Sequence, residues 1–169
     1  NKISIQLGNP RQLAQKLNKN VVFDFRSKDI KMGGQGAPLA PIYHQFIIES
    51  LNLELPSCIL NIGGVTNLTF WDGQALIGFD TGPGNGLMDN YIKKKTNKYF
   101  DENGFLASKG VPNKNIIKQF LSEDFFKQPP PKSLDRNSFL NLYNELLKHN
   151  YSIYDTMATL AAFTVESIA

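Results

Sequence analysis

Asp80 closes the apolar run Ile77-Gly78-Phe79 and heads the turn Thr81-Gly82-Pro83-Gly84-Asn85-Gly86. A carboxylate at a strand end followed by glycines suits the binding of an oxyanion, because glycine lets the backbone approach a ligand closely. Asn85 to Met88 are expected to open a helix, and its free N–H groups and positive dipole end would face the same anion. A plain strand-to-helix turn, with glycines for geometry alone, would look the same in sequence.

Two further loops strengthen the first reading. Asp24-Phe25-Arg26-Ser27-Lys28-Asp29 follows an apolar run and leads to Gly33-Gly34-Gln35-Gly36-Ala37-Pro38. Aspartates beside Arg26 and Lys28 can be a surface ion-pair cluster. Alternatively, one of them is a general base that takes a proton from a hydroxyl or a water. Gln35 offers a donor and an acceptor to a polar substrate such as a sugar. The third loop is Asn61-Ile62-Gly63-Gly64-Val65-Thr66-Asn67, whose glycine pair and Thr66 hydroxyl could meet phosphate oxygens. An ordinary β-hairpin would use the same residues. In an open α/β sheet, loops at the carboxyl ends of strands converge on a ligand.

These loops need elements to carry them. Lys2 to Leu7 alternates as a strand does, Asn9-Pro10 caps a helix through about Leu17, and Val21 to Phe25 reads as a buried strand. A helix is expected from Pro41, with Ile42, Phe46 and Ile47 at helical spacing. Cys58 to Ile62, Asn67 to Trp71 and Ala75 to Phe79 read as three strands, the last two joined by a hairpin turn at Asp72-Gly73. Phe70 and Trp71 are expected to pack in that sheet. Helices follow from Asn85 to about Lys95, from Phe139 to His149 and from Asp155. The Asp155 helix is expected to present an apolar face to segments outside the chain.

With 169 residues, 41% hydrophobic and 20% charged, the chain suits a folded globular protein. A net charge of +3, with Lys93-Lys94-Lys95 on a solvated helix face, gives no reason to expect nucleic acid. His44 and His149 stand apart with no second ligand at metal spacing, so zinc is not expected. No Walker loop and no strand-linked GxGxxG occurs. Cys58 reads as a buried strand residue, no disulfide can close within the chain, and a cytoplasmic setting is expected without a membrane span. The chain reads as part of a longer protein.

At these residues the sequence resembles the anhydro-N-acetylmuramic acid kinases. The resemblance rests on Gln6-Leu7-Gly8, Asp24-Phe25-Arg26 with Asp29, Gly33 to Leu39, Asn61-Ile62-Gly63-Gly64 with Asn67, and Phe79 to Asn85 with Met88-Asp89. Where that family shows Lys-Ser-Thr-Gly-Arg-Glu, this chain reads Lys132-Ser133-Leu134-Asp135-Arg136-Asn137. The resemblance implies an α/β, actin-like (ribonuclease H-like) sugar kinase fold, in part, with a mixed sheet flanked by helices. Residues 1–54 would end the first lobe and 55–169 begin the second. It implies phosphorylation of 1,6-anhydro-N-acetylmuramic acid by ATP with Mg²⁺, in cell-wall recycling. Asp29 matches the catalytic aspartate, with Asp24 as the alternative, and Arg26, Gly34, Gln35 and Gly36 would face the sugar. Asn61, Gly63, Gly64, Thr66, Asn67, Asp80, Gly82, Gly84 and Asn85 would face phosphate and nucleotide, with Asp80 toward the metal. The implied partners are the amino sugar, ATP and a second subunit in a homodimer. The alternative is a non-catalytic actin-like or Hsp70-like nucleotide-binding module.

Overall fold

Asn9 and Pro10 open the first helix for two separate reasons. Proline gives up no hydrogen bond at a first-turn position and its φ is already helical. The Asn9 side chain meanwhile accepts from the N–H groups of Arg11 and Gln12, each at 3.1 Å. Helix α1 spans Pro10–Leu17 and stops at Asn18, which takes a left-handed conformation with φ 48°. The computed structural model describes residues 5–34, 36–134 and 138–169. The chain divides into two compact units, Asn1–Ala40 and Pro41–Ala169.

In the first unit, α1 is followed by a five-residue helix α2, Ser27–Lys31. The strand expected over Val21 to Phe25 does not form. Residues 21–24 have no regular structure, and Val22, Phe23 and Phe25 are 77%, 52% and 63% exposed. An extended apolar segment becomes a strand only when its N–H and C=O groups are paired by a neighbour, and this unit holds no strand among its described residues. The strand expected from Lys2 to Leu7 falls partly outside the described residues, and residues 5–7 are irregular.

The second unit begins with α3, Pro41–Ser50, which packs on a three-stranded meander of β1 (Ser57–Ile62), β2 (Val65–Trp71) and β3 (Leu76–Pro83). Both strand pairs are antiparallel, so the sheet is not the mixed one that the resemblance implies. Asp72 closes the β2–β3 turn as expected, its Oδ1 accepting from the N–H groups of Gln74 (2.8 Å) and Ala75 (2.7 Å). Register decides the faces. Cys58, Phe70 and Ile77 share one cross-strand row, and Leu60, Leu68 and Phe79 the next. The opposite face carries Thr69, whose Oγ1 lies 2.7 Å from His44 Nδ1 of α3, and the buried Trp71. Cys58 is therefore exposed rather than buried, on the face that α3 does not cover.

Beyond β3 come α4 (Gly86–Lys95), α5 (Lys114–Leu121), α6 (Asp124–Lys127), α7 (Leu140–Lys148) and α8 (Ile153–Glu166). The core sits among α4, α5, α7 and α8, with Tyr91, Ile92, Phe120, Met157, Leu160 and Phe163 buried together. Helix α8 runs through this core and buries Thr156 to Leu160, Phe163 and Thr164. Helices α4 and α5 both pack against it and cover most of the apolar face that was expected to be exposed, while Tyr154 and Val165 remain in solvent.

Candidate functional site

In the first unit the expected sugar-side residues form one hydrogen-bonded knot. The Gly36 N–H donates to Asp29 Oδ2 at 2.7 Å, and Arg26 Nη1 donates to the Gly36 carbonyl oxygen. The loop wraps the Asp29 carboxylate so closely that a Cβ at Gly34 would overlap it. Gly36 has φ 73°, a conformation that favours glycine. Asp24 also lies in the left-handed region, at φ 62°, and its Oδ1 accepts from the Ser27 hydroxyl. Asp24, Arg26 and Asp29 are all exposed. The ion-pair reading of this cluster does not hold, since the one ion pair among the described residues joins Lys127 and Asp124. Asp24 also borders an open cleft of about 680 Å³ beside α1, lined by Leu7, Asn9, Leu13, Lys16 and Phe23 among others, whereas Asp29 does not. Gln35 lies outside the described residues.

In the second unit the two glycine loops meet. The N–H groups of Gly84 (3.2 Å) and Gly86 (3.3 Å) donate to the Gly64 carbonyl, and that of Asn85 donates to the Gly63 carbonyl (2.7 Å). A Cβ at Gly84 would overlap the Gly63 oxygen, so this glycine is required for close approach of one loop to the other. Those three N–H groups are consequently committed inside the protein, and the groups left exposed lie on the rim of the turn. Gly64, Asn61 and Asn85 lie on that rim, and the Asn85 side chain reaches the Ile62 carbonyl at 3.4 Å. Thr66 faces inward instead of presenting its hydroxyl to a ligand. It is fully buried, and its Oγ1 has no hydrogen-bond partner among the described residues. The cause is register, since β2 starts at Val65 and pairs Thr66 with Gly82, two residues earlier than the strand expected from sequence. Asn61, Asn67 and Asp80 fall in a single cross-strand row, as Asn61 pairs with Asn67 and Asn67 with Asp80.

Asp80 is 8% exposed. Its Oδ2 accepts from the Leu134 N–H at 2.7 Å, and its own N–H donates to the Lys132 carbonyl at 2.9 Å. Burial pushes its carboxyl above the usual carboxylate range, and the Leu134 N–H partly offsets this. Mg²⁺ keeps near-octahedral geometry and is held by one or two carboxylates together with substrate phosphates and water. Among the described residues no group of three or more His, Cys, Asp or Glu comes together in a way that could hold a metal ion. Asp80 Oδ2 is already taken by the Leu134 N–H, so this buried side chain does not form a Mg²⁺ site by itself.

Three supports of the glycine turn were not legible in sequence. The Thr164 hydroxyl donates to the Gly84 carbonyl at 3.0 Å, Ser167 lies against Gly82, and Lys132 to Leu134 line the outer edge of β3. Each is far from the turn along the chain, and no periodicity links them to it. Asp135 to Asn137, where the chain departs from the family pattern, lie outside the described residues.

An α/β chain with a glycine-wrapped exposed carboxylate in one unit and paired glycine loops ahead of a helix in the other has the parts of a small-molecule-binding protein. A family model described as anhydro-N-acetylmuramic acid kinase matches residues 1–169. Curated relatives carrying that name are 44% identical over 169 residues in Rhodopseudomonas palustris and 43% over 169 residues in Nitrobacter winogradskyi, covering 99% of this chain and 45% of each relative. A third, from Zymomonas mobilis, is 45% identical over 166 residues, covering 97% of this chain and 44% of the relative. The chain belongs to the anhydro-N-acetylmuramic acid kinase family and spans less than half the length of these relatives.

Proposed function

We propose that the protein of which this chain is part phosphorylates 1,6-anhydro-N-acetylmuramic acid with ATP, giving N-acetylmuramic acid 6-phosphate in cytoplasmic recycling of the cell wall. The observation that carries this reading is the Asp29 knot. An exposed carboxylate held at a defined position by the Gly36 N–H, itself fixed through Arg26, is what a general base requires. The knot has no use in a module that only binds nucleotide, and the relatives' names favour the catalytic reading.

In the proposed reaction Asp29 takes a proton from a water whose oxygen bonds to the anomeric carbon of the sugar. The bond from that carbon to the bridging oxygen breaks, and the freed oxygen attacks the γ-phosphorus of ATP, releasing ADP. Arg26 and the Gly34 to Gly36 loop would orient the sugar. Gly63, Gly64, Asn61, Asn67 and Asn85 would meet the phosphates from the rim, with the first turn of α4 behind them. Thr66, Gly82 and Gly84 would shape that rim from within. Residues 1–54 and 55–169 are assigned to the two lobes of an actin-like kinase, which would act as a homodimer. Mg²⁺ would enter with the ATP phosphates.

The test is transfer of phosphate to the anhydro sugar by the full-length protein, with Asp29→Asn as the comparison. Loss of the base should lower kcat on the order of a hundredfold or more. An unchanged rate would remove Asp29 from the mechanism, and Asp24→Asn would then be the variant to measure. The 169-residue chain alone should show no kinase activity, because contacts to both substrates must act together to offset the entropy of association.

A further inference from the structure

The buried Asp80 carboxylate has a use that metal binding does not explain. The Asp80 backbone N–H donates to the Lys132 carbonyl and the carboxylate Oδ2 accepts from the Leu134 N–H, which lays residues 132–134 along the outer edge of β3. This strap is fastened elsewhere as well. Lys132 Nζ donates to the Phe125 carbonyl at 3.2 Å and sits 4.5 Å from the centre of the Phe125 ring, and Leu134 packs against the helical core. Leu134 and Phe139 then form, with Pro83, Gly86 and Leu87, the walls of a cavity of about 20 Å³ directly behind the glycine turn.

We infer that Asp80 is a positioning residue, whose carboxylate oxygen holds the Lys132–Leu134 strap as the back wall of the Gly82–Gly86 turn. The carboxylate works here as a hydrogen-bond acceptor, and an amide oxygen in the same place would do the same work. The catalytic readout below rests on the kinase reading, whereas the exchange readout does not.

The experiment compares the full-length protein with its Asp80→Asn and Asp80→Ala variants by hydrogen exchange at the Leu134 amide and by steady-state kinetics with ATP and added Mg²⁺. Asp80→Asn should keep the Leu134 amide protected and hold kcat, the KM for ATP and the half-saturating Mg²⁺ within about fivefold, as a neutral acceptor replaces a charged one. Asp80→Ala leaves the Leu134 N–H without an acceptor, so exchange should accelerate and the KM for ATP should rise on the order of tenfold, more than kcat falls. Two results would overturn the inference. One is loss of Leu134 protection in Asp80→Asn to the extent seen in Asp80→Ala. The other is a protected Leu134 in Asp80→Asn with a half-saturating Mg²⁺ raised tenfold or more. If the alanine variant does not fold, the asparagine arm decides alone, and if no sugar is phosphorylated, the exchange arm stands by itself.

Discussion

The two units solve the same local problem by different means. Each carries a glycine loop folded onto an oxygen, yet the bonds that hold the first are short-range and those that hold the second span the chain. Gly36 is seven residues from Asp29 and ten from Arg26, whereas Leu134 is 54 residues from Asp80 and Thr164 is 80 from Gly84. The first unit also leaves its apolar residues in water, with Val22 and Phe25 more than half exposed, while the second buries Ile92, Met157 and Phe163 completely. The Asp29 knot is therefore a local device resting on little core, and the glycine turn is a product of tertiary packing. Core substitutions should disturb the two loops very unequally.

The largest expected effect comes from Phe163→Ala. Phe163 is fully buried and packs edge-on to Phe120, with ring centroids 4.8 Å apart. Its removal should destabilise the second unit by about 3–5 kcal/mol through lost burial and a residual cavity. Urea denaturation would measure this. A loss below about 1 kcal/mol would mean that this core does not support the unit as described.

Gly84→Ala tests the turn itself. The added methyl has to displace the Gly63 carbonyl, for a cost of about 1–3 kcal/mol. Hydrogen exchange should show the Asn85 amide losing protection, since its bond to Gly63 lies in the same contact. An unaltered amide would separate the two loops.

The smallest effect belongs to the first unit. Val22→Ser changes a residue that is 77% exposed, and the stability of this chain should move by no more than about 0.5 kcal/mol. The amides of residues 21–24 should exchange far faster than those of α8. Strong protection at 21–24 would show that the segment is paired, and the contrast between the units would then narrow.

Where a signal was local, it could be read from the chain. Asn9-Pro10 specified the start of α1, Asp72-Gly73 the β2–β3 turn, and short runs of strand-forming residues between turn signals all three strands of the meander. Strand ends were less legible, because β2 and β3 extend into the glycine loops through pairing across a bulge, and no propensity in Thr81-Gly82-Pro83 announces it. Val21 to Phe25 failed for the opposite reason, since β-branched and aromatic residues make a strand only where a partner exists. Cys58 was misplaced because an apolar run marks a strand without saying which of its faces is covered.

The sequence by itself determined the family and the glycine positions, since these depend on residue type and order along short stretches. Tertiary structure decided which groups are available. It joined Gly63 and Gly64 to Gly84 through Gly86, turned Thr66 inward, and set Asp80 against a strap more than fifty residues away. The physical reason is that a backbone N–H or a carboxylate can serve a ligand only if no other part of the fold has satisfied it, and those competing partners lie beyond the reach of any local pattern.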